Sequence, residues 1–505
     1  MNIFLKKYYK IILIALILLI GAFLRLYRIS DFTEFLGDQG SAGVVIYEAW
    51  KNKTIPLHGP AVSSGQYPGP FYYYLIAPWF IISGFNPVWP AIFFAILGVL
   101  GIYLLYRILE DLYGFRPAIF VSLIYAISPK IVETSRVMWN PTAIPFLVLL
   151  LVFSFIKICK GKHKFFILAG LVNGLLVQLH YTNIYTLGVS ILFWLGIFIN
   201  YYINHYTNIK TEFEYKKWLF SGLYLLIAFF VSLLPFIIFE VQNGFTDIKS
   251  LIESMVFNPG GIVGKRVMLM QAYDYTTRTF SFLAPSIPKF ITVIVMVFVF
   301  IFQIVNYSKF NYFLLFWYFG GIIMTSRYKM PIHDHYLLFI SVLPLFSTAN
   351  LLKVINTLKY RTIYFMFLII GSVVILLSND VKASGLNDIP RTKKVTEYMI
   401  KHSGGKPFSF TLTSSRSFSD YHYRFYFLIN GVQPNAILDS NYNQLFLVCE
   451  TDNCPISFEM KDTKKVKAMC YDHHCQGEYP VIDMDDWSLN EVDKIKGATI
   501  YSYDR

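Results

Sequence analysis

Apolar runs of about 20 residues, the length that crosses a bilayer as a helix, recur along the chain. They fall near residues 10–28, 85–106, 117–129, 141–157, 165–180, 184–202, 218–239, 288–306, 312–325, 336–351 and 362–378. The pattern predicts about eleven membrane-spanning helices. The polar stretches between them alternate in charge. Lys and Arg crowd the N-terminus, Arg107–Arg116, the KICKGKHK run at 157–164, Lys210–Lys217, Lys309 and Lys353–Arg361, which the positive-inside rule places in the cytoplasm. The opposite loops, 29–84, 130–140, 181–183, 240–287 and 326–335, are then extracytoplasmic, as is everything after about Ser378. The first run, Ile11–Phe23, follows Lys6, Lys7 and Lys10 as in a signal peptide. It lacks a small-residue cleavage site and many spans follow, so it reads as a retained helix.

After Ser378 the periodicity changes, and the chain divides into a membrane domain, 1–378, and a soluble α/β domain, 379–505. IPRTKKVTEYMIKHSGGKPFSFTLTSS reads as a helix with Pro390 at its start and Gly404-Gly405 past its end, followed by an alternating strand. A second helix is expected from Ser419 to Gly431, and a second strand at NQLFLVCE. Four cysteines, Cys449, Cys454, Cys470 and Cys475, lie in this tail at matched C-x4-C spacings, while Cys159 sits at a membrane boundary. An outside location favours disulfides, and the adjacent His473 and His474 also permit a zinc site. Neither arrangement makes the tail catalytic.

Composition supports the membrane reading: of 505 residues, 55% are hydrophobic and only 15% charged, which excludes an ordinary soluble chain. The net charge of +13 is spread over short loops rather than gathered in a patch. It reports topology, and no nucleic-acid partner is expected.

Polar residues collect in the outer loops. The first loop carries RISDFTEFLGDQGSAG (28–43) and HGPAVSSGQYPGPFYYYL (58–75); later ones carry SPKIVETSRVMWNPTAIP (128–145), QLHYTN (178–183) and SRYKMPIHDHYLLFISVLPL (326–345). The candidates are Asp38, Gln39, Tyr67, Tyr72, Arg136, Trp139, Asn140, His180, Tyr181, Arg327, Lys329, His333, Asp334 and His335. Each also has a structural explanation. Asp38 precedes a helical stretch and fits an N-cap; Gln39 fits a first-turn surface position. Arg136 at a span end fits snorkelling to headgroups, and the aromatics from Tyr67 to Trp79 fit an interface belt. Trp139 and Asn140 fit a loop end, and His180 and Tyr181 fit packing at a span end. His333 and His335 fit a divalent metal, and Asp334 fits a cap or an orienter of a neighbouring His. The glycines around Asp38 are expected to let the backbone turn tightly and substrate approach closely.

From the N-terminus to about residue 350 these residues resemble, in order and topology, the GT-C class of integral-membrane glycosyltransferases. The likeness is to family 39, which includes protein O-mannosyltransferases and the lipid A aminoarabinose transferase. The matching elements are Asp38-Gln39 in place of an acidic pair after span one, Tyr67-Pro68-Gly69-Pro70 into Phe71–Tyr74, Ser128-Pro129 with Ser135-Arg136, and His333–Tyr336. The second acid of the pair is Gln39 here, leaving one obvious carboxylate. The resemblance implies a GT-C fold with an extracytoplasmic α/β tail and transfer of a sugar from a polyprenyl-phosphate donor in the bilayer to an extracytoplasmic acceptor. The donor already carries a good leaving group, so such a transfer needs a base and a cationic clamp rather than an acid. Asp38 is the expected base. Arg136, with Arg327, Lys329, His333 and His335, is the expected phosphate clamp, and a single displacement inverts the anomeric centre. No cofactor is required, though a divalent metal is permitted. The rival reading is a transporter or lipid flippase, for which ionisable residues should recur inside spans; here they gather at one face. A sensor or assembly protein would leave the outer-loop cluster without a role.

Overall fold

The computed structural model describes the chain except for residues 1–2, 63–64, 208–214, 257–262, 283–288, 306–307, 329–331, 358–360, 382, 440, 452–464 and 468–480. Every expected apolar run falls on a helix: Ile3–Leu26, Val88–Tyr113, Phe115–Ile127, Ile144–Cys159, Phe165–Leu179, Ile184–Thr207, Tyr215–Ser232, Lys289–Val305, Lys309–Thr325, Leu338–Ser341 with Leu343–Ile355, and Arg361–Leu377. By length and composition, 4 of the described helices can cross a membrane alone, or up to 6 if two bent pairs each count as one span; several others are apolar but shorter. The bends, 61° between Trp218–Ser232 and Leu234–Gln242 and 41° between Asp334–Ser341 and Leu343–Ile355, fall at Pro235 and Pro344. Proline lacks the N–H that would continue the helix and crowds the residue before it.

Close helix pairs use small residues and internal polar bonds. Gly170 and Gly174 bring Phe165–Leu179 against Tyr215–Ser232: a methyl on Gly170 would stand 2.1 Å from the Leu225 carbonyl, and one on Gly174 1.7 Å from the Ser232 hydroxyl. This four-residue spacing lets two backbones approach inside a membrane. The same helix carries buried Asn173, which donates to Ser190 Oγ (2.8 Å) and accepts from Thr186 Oγ1 (2.7 Å). These bonds tie together the two helices whose connection holds His180 and Tyr181.

The loop between the first two long helices carries the helical stretch expected after Asp38 and a second helix that the sequence reading did not place. Gly37–Asn52 is a helix, and so is the aromatic run Phe71–Ile82, which buries Tyr72, Tyr73, Ile76 and Phe80. That is a helical spacing, so these aromatics build core rather than only an interface belt. The 240–287 loop likewise contains the helices Thr246–Val256 and Lys265–Ser281.

The tail carries helices Asp388–Ser403 and Tyr421–Ile429 and a four-stranded sheet ordered Phe408–Ser414, Gln444–Cys449, Ala498–Asp504, Ser488–Ile495. The first pair is parallel and the other two antiparallel; the helix Tyr421–Ile429 lies in the crossover that a parallel pair requires. In the strand Gln444–Cys449, Phe446 and Val448 pack with Val395, Met399, Tyr423 and Phe427, whereas Leu445 and Leu447 pack with Ile437, Tyr442 and Tyr503. Period-two alternation thus buries both faces of this strand. Cys449 is disulfide-bonded and Cys159 is a free thiol. Cys454, Cys470 and Cys475 lie outside the described residues.

The tail is bonded to the end of the first span. Asn387 N–H donates to the Asp31 carbonyl (2.8 Å), Arg28 Nη1 to the Ala383 carbonyl (3.2 Å), and Phe35 N–H to Asp388 Oδ2 (3.3 Å). Residues 28–35 therefore leave the first span already engaged with the tail, and the helix bearing Asp38 starts from that anchored segment.

Candidate active site

Asp38 lies in the first turn of Gly37–Asn52, one residue past the helix start, and the N-cap is Leu36. The expected capping role is thus not the geometry found: the Asp38 carboxylate accepts a hydrogen bond from Trp139 Nε1 at 3.1 Å. Gln39, buried rather than on the surface, does the capping instead, its Oε1 accepting from the Leu36 N–H at 3.0 Å. Asp38 keeps accessible surface, yet protein surrounds it on most sides. That desolvation raises its carboxyl above the ordinary aspartate value, with the Trp139 hydrogen bond opposing the rise.

Trp139 connects Asp38 to the histidines. Its ring meets His335 edge-on with centroids 4.5 Å apart, and His335 in turn stacks parallel to His333 at 5.7 Å and stands 5.6 Å from buried His180. His180 Nδ1 bonds Thr182 Oγ1 (2.8 Å). Next to His335, Asp334 is gripped by Arg278, Nε at 2.8 Å and Nη2 at 2.5 Å, and is paired with Lys130 at 3.5 Å. Asp334 therefore orients cations. Three loops and a helix of a fourth converge here: Asp38, then Lys130 and Trp139, then His333–His335, and Arg278.

A second cluster adjoins it through the dipeptide His180-Tyr181. Tyr181 OH donates to the Tyr67 carbonyl (2.6 Å), Tyr67 N–H donates to Asp247 (3.1 Å), and the Tyr67 ring lies against His58 at 4.4 Å. Tyr72 OH reaches the Met138 carbonyl (3.0 Å), and Asn140 Nδ2 the Leu179 carbonyl (2.7 Å). Both fix the loop that presents Trp139. Arg136 turns the other way: Nη2 donates to the Tyr27 carbonyl at 2.7 Å and the guanidinium covers the Phe32 ring at 4.4 Å. Arg327 is exposed, and Lys329 lies outside the described residues.

Three charged residues of this region escaped the sequence reading. Arg278 belongs to a loop helix too polar to register as an apolar run. Lys130 and Glu34 stood inside quoted motifs but carried no signal separating them from surface charges. Glu34 is half-buried; burial raises its carboxyl, Arg416 of the tail opposes this, and the neighbouring carboxylates Asp388, Asp38 and Glu133 add to the rise. Glu34 is thus a second acid near the start of the Asp38 helix, four residues before Asp38.

The fold is the GT-C membrane fold: mostly helical, with several apolar helices and a C-terminal sheet region. Residues 67–236 match the family described as dolichyl-phosphate-mannose-protein mannosyltransferase. The structure resembles ArnT from Cupriavidus metallidurans, both in the apo state (TM-score 0.59) and bound to undecaprenyl phosphate (TM-score 0.57). Each is 10% identical, with 98% of either chain covered. It also resembles the Archaeoglobus fulgidus oligosaccharyltransferase tethered to an acceptor peptide containing the NVT sequon (TM-score 0.50, 13% identity), covering 88% of this chain and 70% of that one. No curated protein matches the chain by sequence. These matches bear out the resemblance read from the sequence, to a family 39-like GT-C membrane glycosyltransferase.

A carboxylate must be ionised to accept a proton, so any reaction in which Asp38 takes one slows as pH drops through its raised pKa. Trp139 donates to the ionised form and lowers that pKa. Trp139→Phe should therefore move the acid limb of the pH–activity profile to higher pH. A limb that stays in place, or moves down, would contradict this electrostatic picture.

Proposed function

We propose that the protein transfers a sugar from a polyprenyl-phosphate donor to a hydroxyl-bearing acceptor at the outer face of the cytoplasmic membrane, with inversion and with Asp38 as general base. Asp38 removes the acceptor hydroxyl proton while that oxygen bonds to the anomeric carbon. The bond from that carbon to the phosphate oxygen breaks, and polyprenyl phosphate departs with the electron pair. Cations beside the leaving phosphate stabilise the charge that develops there. The observation that carries the reading is the pairing of a carboxylate of raised proton affinity with a cationic group, Arg278 and Lys130, across the Trp139–His335 contact. The mannosyltransferase match over residues 67–236 and the undecaprenyl phosphate bound to ArnT agree with such a donor.

Arg278 and Lys130 fit the clamp better than Arg136 by position: through Asp334 they stand beside His335 and the Trp139 contact, whereas Arg136 lies against Tyr27 and Phe32. Removing a charged contact to a desolvated phosphate costs about 2–5 kcal/mol. Arg278→Ala should therefore weaken undecaprenyl phosphate binding by more than tenfold, and by more than Arg136→Ala does. The opposite ranking would return the clamp to Arg136.

In the proposed orientation the N-terminus is cytoplasmic and the tail extracytoplasmic, as the alternation of Lys and Arg among the loops requires. A cysteine reporter at Ser384 should be labelled by a membrane-impermeant reagent on intact cells. Labelling only after permeabilisation would refute the orientation.

Incubation with labelled polyprenyl-phosphate sugars and membrane extract tests the reaction, and Asp38→Asn tests the base. The amide keeps the size of the side chain and cannot take the proton. Turnover should fall about 100-fold or more in a normally folded protein, and near-wild-type transfer by that variant would end this mechanism.

A further inference from the structure

Gly37, Gly40 and Gly43 repeat every third residue and so share one face of the Asp38 helix. That face is covered by the tail. A methyl on Gly40 would stand 2.3 Å from the His422 backbone nitrogen and 2.5 Å from the Tyr421 carbonyl carbon; one on Gly43 would stand 2.6 Å from the Phe425 ring; one on Gly37 would meet Ser419 Oγ at 2.0 Å. Neither Gly37 nor Gly40 has a positive φ, so tight turning is not what these glycines supply. They supply closeness. Glycine is the poorest helix former after proline, and three of them on one face fit a demand for contact at backbone distance.

The seam continues into a buried ion network. Gly37 N–H donates to Ser417 Oγ (3.0 Å), and Phe35 packs edge-on against Phe425 and Tyr426. Asp388, fully buried, accepts from Phe35 N–H, from Arg391 (2.7 Å) and from Arg416 (2.6 Å). Arg391 also pairs with Glu450 (3.2 Å), which accepts from Tyr423 OH (2.7 Å). Charges and hydrogen bonds thus run from the end of a tail strand to the backbone three residues before Asp38.

We infer that the C-terminal domain is a positioning element of the active site: through the Gly37–Gly40–Gly43 face and the Asp388 network it sets where the Asp38 carboxylate stands relative to Trp139. This rests on the reading of Asp38 as the base. A tail that served only to bind a partner would need no backbone-distance contact with the catalytic helix. The tail cannot give way at Gly40, because the atoms that a side chain would strike are backbone. The Asp38 helix must then shift by on the order of 1 Å, a displacement that costs up to about 100-fold in rate when it separates reacting groups.

The test uses the full-length protein in nanodiscs, with the labelled donor that the wild type consumes and undecaprenyl phosphate as the binding probe. Gly40→Ala should lower kcat at least tenfold and leave the donor KM and undecaprenyl phosphate affinity within about twofold of wild type. Gly188→Ala, at a glycine with open space around it, should change neither. Wild-type kcat in Gly40→Ala would overturn the inference; parallel loss of turnover and probe binding marks a general folding defect and passes the decision to a second variant. If Gly40→Ala yields no folded protein, Ser417→Ala decides. It deletes the hydroxyl that accepts from Gly37 N–H and that also bonds the Ser419 carbonyl and N–H on the tail side of the seam, and it should lower kcat several-fold at unchanged probe affinity; unchanged kcat refutes the positioning role. An active Asp38→Asn would instead remove the base while leaving the Gly40 result free to stand for whichever group replaces it.

Discussion

One short helix has to satisfy two neighbours at once, and much of the outer surface follows from that. Gly37–Asn52 presents a glycine face to the tail at backbone distance and, one residue round the turn, a carboxylate to Trp139. Side chains on the first face would push the helix off the tail, and the second contact then loses its geometry. Close packing makes such an arrangement stiff, because a backbone-to-backbone contact has no rotamer with which to relax. The anchoring of residues 28–35 on Ala383, Asp388 and Asp31–Asn387 removes the remaining freedom at the helix start.

The electrostatics are sorted in space by the same framework. Carboxyl groups gather where the Asp38 helix begins, and burial there favours their neutral forms. Cations gather around Asp334, where Arg278 and Lys130 are already held by a carboxylate and so need little reordering to meet an anion. Between the two stands a layer of rings, Trp139, His335, His333 and His180, with few rotatable bonds and extensive contact. The arrangement keeps the carboxyl groups and these cations apart, so that they do not neutralise each other.

The spans were legible because crossing a bilayer demands a long apolar run, which no other role requires. Tail helices and strands were legible for a similar reason: Pro390, Gly404-Gly405 and the alternation through Phe408–Ser414 are local signals. Asp38, Trp139 and the His333–His335 run stood out because a polar or aromatic residue at a span end is conspicuous. Arg278 was not, since its helix is polar overall. Arg136 was conspicuous, but its partners were not: it bonds the Tyr27 carbonyl, 109 residues away in sequence, and covers Phe32. Gln39 reads as a surface residue in sequence and is a buried cap in the fold.

By itself the sequence determined the class of the protein: a helical membrane chain with a soluble α/β tail, because hydrophobic period and run length are properties of consecutive residues. Its alternating loop charges are likewise local, and they carry the proposed orientation. Only the tertiary structure decided which polar residues meet. Asp38 reaches Trp139 across 101 residues, Arg278 reaches Asp334 across 56, and Gly37 reaches Ser417 across 380. Spacing along the chain carries no information about such pairs, whose energies depend on distance in space. The same glycines that read as room for a substrate prove, once the tail is folded against them, to be room for the tail.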